Sequence, residues 1–246
     1  MKRSVRILLG IGMWLIIYLL AVYLIPRVGF IAGFIAKADW LSKGEISQVS
    51  FLILSLALIV QLPGCDRKFY GFRGARVGQL VKPVALGVLV SVCFFILNFV
   101  VILISGMPGE QSGSPIADKS LLNFILTVVI LASICEEIFS RGLVQSFLSP
   151  LREHGFRLFR LFSLPVIICA LLFGLGHLCL LRSLELRAVI LIVISAMALG
   201  LIAGYYREKT GSLLPAVAVH MTFNIVSGVI PRLLMMAMAG GGPPSG

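Results

Sequence analysis

The chain has 246 residues, of which 59% are hydrophobic and only 13% charged, and its mean hydropathy is +1.06; a soluble domain is roughly half apolar and about a quarter charged. That imbalance excludes an ordinary water-soluble domain. It predicts an all-α, polytopic transmembrane bundle, because a run of ~18 or more apolar residues reads as a membrane-crossing helix. The net charge of +11 is spread over alternate loops instead of forming one stripe, which argues against a nucleic-acid partner and leaves the lipid bilayer as the surroundings.

Lys2, Arg3 and Arg6 precede the first apolar run, at roughly residues 7–25, which is long for a signal peptide and is followed by no A-x-A site, so it reads as a retained helix. After Pro26, the segment Val28 to Ala38 is a candidate short or interfacial helix. Further apolar runs fall at roughly residues 46–62, 84–105, 120–148, 164–181, 188–206 and 213–237, which makes about seven to eight spans. Pro63-Gly64 and the stretch Gly106 to Pro115 punctuate them, and the glycine-rich tail of residues 240–246 reads as disordered. Residues 1–246 are therefore expected to form a single integral membrane domain. Five cysteines show no C-x-x-C spacing, which gives no sign of structural disulfides.

Basic residues mark alternate loops. Arg67, Lys68, Arg73, Arg76 and Lys82 follow the second span, Arg152, Arg157 and Arg160 the fourth, and Arg207 and Lys209 the sixth, whereas charges in the other loops nearly cancel. By the positive-inside rule the N-terminus is predicted to be cytoplasmic, with the later loops depending on whether the short segment crosses.

The chemistry is carried by polar residues that are not in loops. Of ten acidic residues, only Glu136 and Glu137 lie inside an apolar span, where an ionised group costs about 2.5–3.5 kcal/mol at the bilayer centre. Neighbouring helical residues point about 100° apart, so the two carboxylates are expected to face different surroundings. Arg141 stands at i+4 from Glu137, in the favoured order for an ion pair, which leaves Glu136 beside the small Ser140 free to act. His177, one turn beyond Phe173, and His220, one turn before Asn224, also lie in spans. Counted at ~1.5 Å per residue from the predicted cytoplasmic ends, Glu136, His177 and His220 lie ~10–20 Å deep, so they can share one layer. If they converge, a carboxylate and a histidine can share a water's proton as a general base, and His220 with the Asn224 amide can donate to a developing oxyanion.

These residues resemble the CAAX-prenyl endopeptidase and bacteriocin-processing membrane proteases, also called glutamic-type intramembrane proteases, whose motifs are E-E-x-x-x-R, F-x-x-x-H and H-x-x-x-N in this order. Here they read Glu136-Glu137-Ile-Phe-Ser-Arg141, Phe173-Gly-Leu-Gly-His177 and His220-Met-Thr-Phe-Asn224. The likeness covers residues of about 120 to 226, with a fainter echo in FYGFRG, and Ser140 stands where the family often has phenylalanine. It implies that Glu136 and His177 hold and activate the water, that His220 and Asn224 form the oxyanion hole, and that Glu137, Arg141 and Phe173 support them.

Two other classes of function compete with intramembrane peptide-bond hydrolysis. One is a proton-coupled transporter built on the same polar cluster, although no repeated halves are visible. The other is a non-catalytic scaffold or immunity protein, in which the polar residues act as interhelical glue worth about 0.6 kcal/mol each. No H-E-x-x-H, G-x-G-D or span-borne G-x-S-G motif is present, and Cys135 has no base on its own face. Glu136, His177 and His220 could in principle supply three zinc ligands. Against this, Asn224 shares a helix face with His220, and once Glu137 is paired no acid remains to orient a liganding histidine, so no cofactor is expected. The expected partners are the bilayer and a membrane-associated peptide or protein substrate, lipidated or not. The short chain points to a bacterial inner membrane rather than the endoplasmic reticulum.

Overall fold

The computed structural model describes residues 2–37, 42–62, 66–105, 119–233 and 236; the expected disordered tail of residues 240–246 lies outside them. Eight helices account for most of the described chain: α1 (Arg3–Arg27), α2 (Gly29–Ile35), α3 (Lys43–Gln61), α4 (Gly78–Ser105), α5 (Leu121–Glu153), α6 (Leu164–Arg182), α7 (Leu186–Thr210) and α8 (Leu214–Leu233). Seven of them are long and apolar enough to cross a bilayer. The exception is α2, whose seven residues reach only about 10 Å, so the segment after Pro26 does not span. The only sheet among the described residues is a two-stranded antiparallel hairpin, β1 (Arg157–Leu158) with β2 (Phe162–Ser163), between α5 and α6.

Apolar side chains point both into the bundle and away from it, as they must when lipid is the solvent. On α4, Phe95, Ile96, Phe99 and Ile104 all face outward, and their burial against acyl chains requires no protein partner. The most enclosed span is α7, which packs against α4, α6 and α8. Close approach there depends on missing side chains: a Cβ on Gly174 of α6 would lie 2.9 Å from the Val193 carbonyl of α7, and one on Gly200 would lie 3.0 Å from both the Ala170 backbone and the Arg141 guanidinium. The Gly200 and Gly204 face is thus a packing face, and it also makes room for a charged side chain from α5.

A second core forms where α1 and α3 meet α5. Phe51 stacks on Phe139 at 4.8 Å and Trp14 on Tyr18 at 4.9 Å, within a cluster that includes Leu143, Val144 and Leu148. Offset aromatic pairs of this kind add about 0.5–1.5 kcal/mol beyond the area they bury. The start of α3 is fixed by a capping box in which Ser42 and Glu45 satisfy each other's end of the first turn. Glu45 also pairs with Lys119 just before α5.

α5 is the longest helix, with 33 residues, and is not uniformly wound. Wide i→i+5 turns over Ile125–Ala132 and Ile138–Val144 flank a short α-helical stretch, Ser133–Glu137. Such turns concentrate at functional sites because they re-aim side chains relative to a regular helix. At the other end of the bundle, the loop carrying FYGFRG docks onto the α7 to α8 turn. Gly211 adopts a left-handed φ of +68° at the end of α7, a conformation glycine takes without strain. Arg73 donates to the Thr210 carbonyl, and Ser212 Oγ donates to the Arg73 carbonyl at 2.6 Å.

Candidate active site

The stretch between the two wide segments of α5 carries both intramembrane glutamates. Their surroundings differ sharply: Glu136 keeps 18% of its side chain exposed, whereas Glu137 and Arg141 are completely sealed. Arg141 Nη1 donates to Glu137 Oε1 at 3.0 Å, and the guanidinium lies over the Phe173 ring, 4.5 Å from its centroid. A buried cation is thus balanced by a carboxylate on one side and by an aromatic face on another.

The separation of the two carboxylates expected from helix geometry is incomplete. His220 of α8 reaches both, with Nδ1 at 2.9 Å from Glu137 Oε1 and Nε2 at 3.9 Å from Glu136 Oε2. The reason lies in packing: α8 runs close enough to α5 for one imidazole to bridge side chains that diverge from their common helix. Glu137 Oε1 already accepts from Arg141 and can only accept again, so the Nδ1 of His220 carries the proton on that side. Glu137 therefore does two things, pairing Arg141 and orienting His220. The premise that no acid remains to orient a histidine is corrected by this contact. Among the described residues, no three His, Cys, Asp or Glu side chains are grouped closely enough to hold a metal ion.

Phe173 of α6 lies between the histidines, edge-on to His177 at 5.2 Å and to His220 at 5.6 Å. His177 Nδ1 is 2.9 Å from the Phe173 carbonyl, which can only accept, so Nδ1 is protonated and Nε2 is the basic nitrogen of that ring. This hydrogen bond closes the turn where α6 tightens at His177–Arg182. Tyr18 of α1 donates to the Gly176 carbonyl at 2.5 Å, one residue earlier.

Asn224 sits one turn beyond His220, but its amide is occupied. Nδ2 donates to the Val128 carbonyl at 3.0 Å and to Ser133 Oγ at 3.2 Å, both on α5. A carbonyl cannot donate, so the amide nitrogen faces Val128 and the orientation of the group is fixed. The structure thus joins Glu136, Glu137, Arg141, Phe173, His177 and His220 through successive contacts, and brings Asn224 to the same stretch of α5 through Ser133, one turn before Glu136.

Two residues that sequence reasoning passed over belong to this neighbourhood. Ser133 receives Asn224, and Gln48 of α3 donates from Nε2 to Glu136 Oε1 at 2.6 Å. The available signal for Gln48 was an amide inside an apolar span, and its partner is 88 residues away in the chain.

Residues 118–226 match the family described as Type II CAAX prenyl endopeptidase Rce1-like, in agreement with the resemblance carried by the three motifs. No curated protein and no solved structure matches the chain.

Proposed function

We propose that the chain, whose residues 118–226 match the type II CAAX prenyl endopeptidase family, is an intramembrane endopeptidase that cleaves a peptide bond near the terminus of a membrane-associated substrate. The observation that carries the reading is the pair of dissimilar carboxylates on one helical turn. Glu136 is partly accessible and held by an amide, while Glu137 is sealed and pairs through one oxygen with both Arg141 and His220. One can act as a base and the other can hold the machinery still.

In the proposed reaction, Glu136 and the Nε2 of His177 accept hydrogen bonds from the two O–H groups of a water. The water oxygen attacks the scissile carbonyl, and its proton passes to Glu136. The tetrahedral oxyanion is held by His220 and Asn224. With Nδ1 committed to Glu137, His220 can donate from Nε2 only as an imidazolium, and with Glu136 neutral after taking the proton, the charges of Glu137, Arg141, His220 and the oxyanion sum to zero. Asn224 exchanges its longer bond, to Ser133 at 3.2 Å, for the oxyanion and keeps Val128 as its anchor. Collapse breaks the C–N bond as Glu136 returns the proton to the departing nitrogen. Each preorganised donor contributes about 2.7–4 kcal/mol in comparable sites.

The chemistry uses only side chains, with no metal or other cofactor. The substrate is a membrane-associated peptide with or without a lipid, reached from within or beside the bilayer. Charge bias in the loops favours a cytoplasmic N-terminus, and the seven spans among the described residues then put the end of α8 on the opposite side. A bacterial inner membrane accommodates a chain of this size. The proposal is tested by mass-spectrometric comparison of membrane-associated peptides from cells expressing the wild-type chain or Glu136→Gln. New termini should accumulate only with the wild type, and identical peptide inventories would refute it. Asn224 gives the non-catalytic reading its one specific support, because both of its amide hydrogens are spent on α5 as interhelical glue would spend them. A chain of that kind would leave the inventories identical.

A further inference from the structure

Glu136 has two chemically distinct oxygens. Its Oε2 faces His220 Nε2, whereas its Oε1 accepts a hydrogen bond of 2.6 Å from Gln48 Nε2. Gln48 stands on α3, outside residues 118–226, so the family match assigns it no role. It is half-buried, and its own Oε1 is buried and meets no donor among the described residues. The 2.6 Å bond to a carboxylate is short even for a charge-assisted pair.

We propose that Gln48 is a positioning residue for hydrolysis, one that locks the Glu136 carboxylate so that Oε2 is the oxygen presented to the water. An untethered carboxylate on a flexible side chain would turn between rotamers and share its basicity between two oxygens. With Oε1 held, the side chain has one productive orientation, and the lone pairs of Oε2 stay on the side of His220. The placement also gives the first half of the chain a part in the reaction, exerted through Glu136. The contact ties α3 to the catalytic turn of α5, while the Phe51 to Phe139 stack at 4.8 Å fixes the same two helices less than one helical turn away.

This inference rests on the peptidase reading, and the experiment separates the two. Gln48→Met keeps the length of the side chain and removes the donor; Gln48→Asn keeps the amide but is one methylene short. Both are purified in detergent beside the wild type and Glu136→Gln, and kcat, KM and thermal midpoint are measured for each. A misplaced catalytic group costs on the order of a hundredfold. The expected result for Gln48→Met is a kcat lower by about ten- to a hundredfold, with KM and thermal midpoint close to wild type. Gln48→Asn should recover part of that loss. A Gln48→Met enzyme with wild-type kcat, a loss residing in KM, or a loss that follows a lowered midpoint with no recovery in Gln48→Asn would each overturn the positioning role. If the wild type cleaves and Glu136→Gln does not, a normal Gln48→Met removes this inference alone. If the wild type shows no cleavage that depends on Glu136, the peptidase reading fails first.

Discussion

Replacing Glu137 by glutamine is the perturbation whose consequences follow most directly from the geometry. The carboxylate and Arg141 are both fully sealed, and their contact is 3.0 Å. Removing the negative charge leaves a guanidinium buried with only the Phe173 ring for compensation, and breaking a buried pair from one side costs about 3–5 kcal/mol. Glutamine retains one carbonyl oxygen, so the lower end of that range is expected. For a chain of this size about 3 kcal/mol lowers the thermal midpoint by on the order of 10 °C. The same change removes the fixed acceptor that holds the Nδ1 proton of His220, 2.9 Å away. Loss of an equivalent tautomer-fixing carboxylate in a serine protease costs about 10⁴ in kcat. Thermal unfolding of detergent-purified protein, with cleavage measured well below the midpoint, should show Glu137→Gln both destabilised and impaired. Glu136→Gln should keep its midpoint and lose activity. A Glu137→Gln protein with an unchanged midpoint would refute the argument, and a destabilised Glu136→Gln would mean that the two glutamates have been assigned in reverse.

The oxyanion assignment predicts that Asn224→Ala lowers kcat by about two to three orders of magnitude with little change in KM; a loss confined to KM would place Asn224 in substrate binding instead. Exhaustive chelation of the purified protein should leave its activity intact. Loss of activity with a bound equivalent of zinc, recovered only on adding zinc back, would turn Glu136, His177 and His220 into ligands.

Much of this architecture is legible in the sequence because lipid imposes a strict rule: spans must be apolar, so the polar residues inside them stand out. Glu136, Glu137, Arg141, His177, His220 and Asn224 are visible for that reason, and the ion pair of Glu137 with Arg141 is visible because it is local to one helix. What lies between helices is not legible. The reach of His220 to both glutamates depends on how closely α8 packs against α5, which no periodicity encodes. The commitment of the Asn224 amide to Val128 and Ser133 depends on how α8 meets α5 at the junction of its wide and regular turns, where a backbone carbonyl and a hydroxyl face α8. Gln48 escapes notice because its significance is entirely its partner on another helix. The short α2 illustrates a different limit: composition marks it as apolar, and only its length of seven residues shows that it does not cross.

The central claim is that Glu136 activates a water to hydrolyse a peptide bond inside the membrane. The most direct measurement is cleavage of a membrane-associated peptide by wild-type and Glu136→Gln proteins, each purified, matched in thermal midpoint and reconstituted into vesicles. The account predicts new termini from the wild type and none above background from Glu136→Gln; cleavage at an equal rate by both would contradict it.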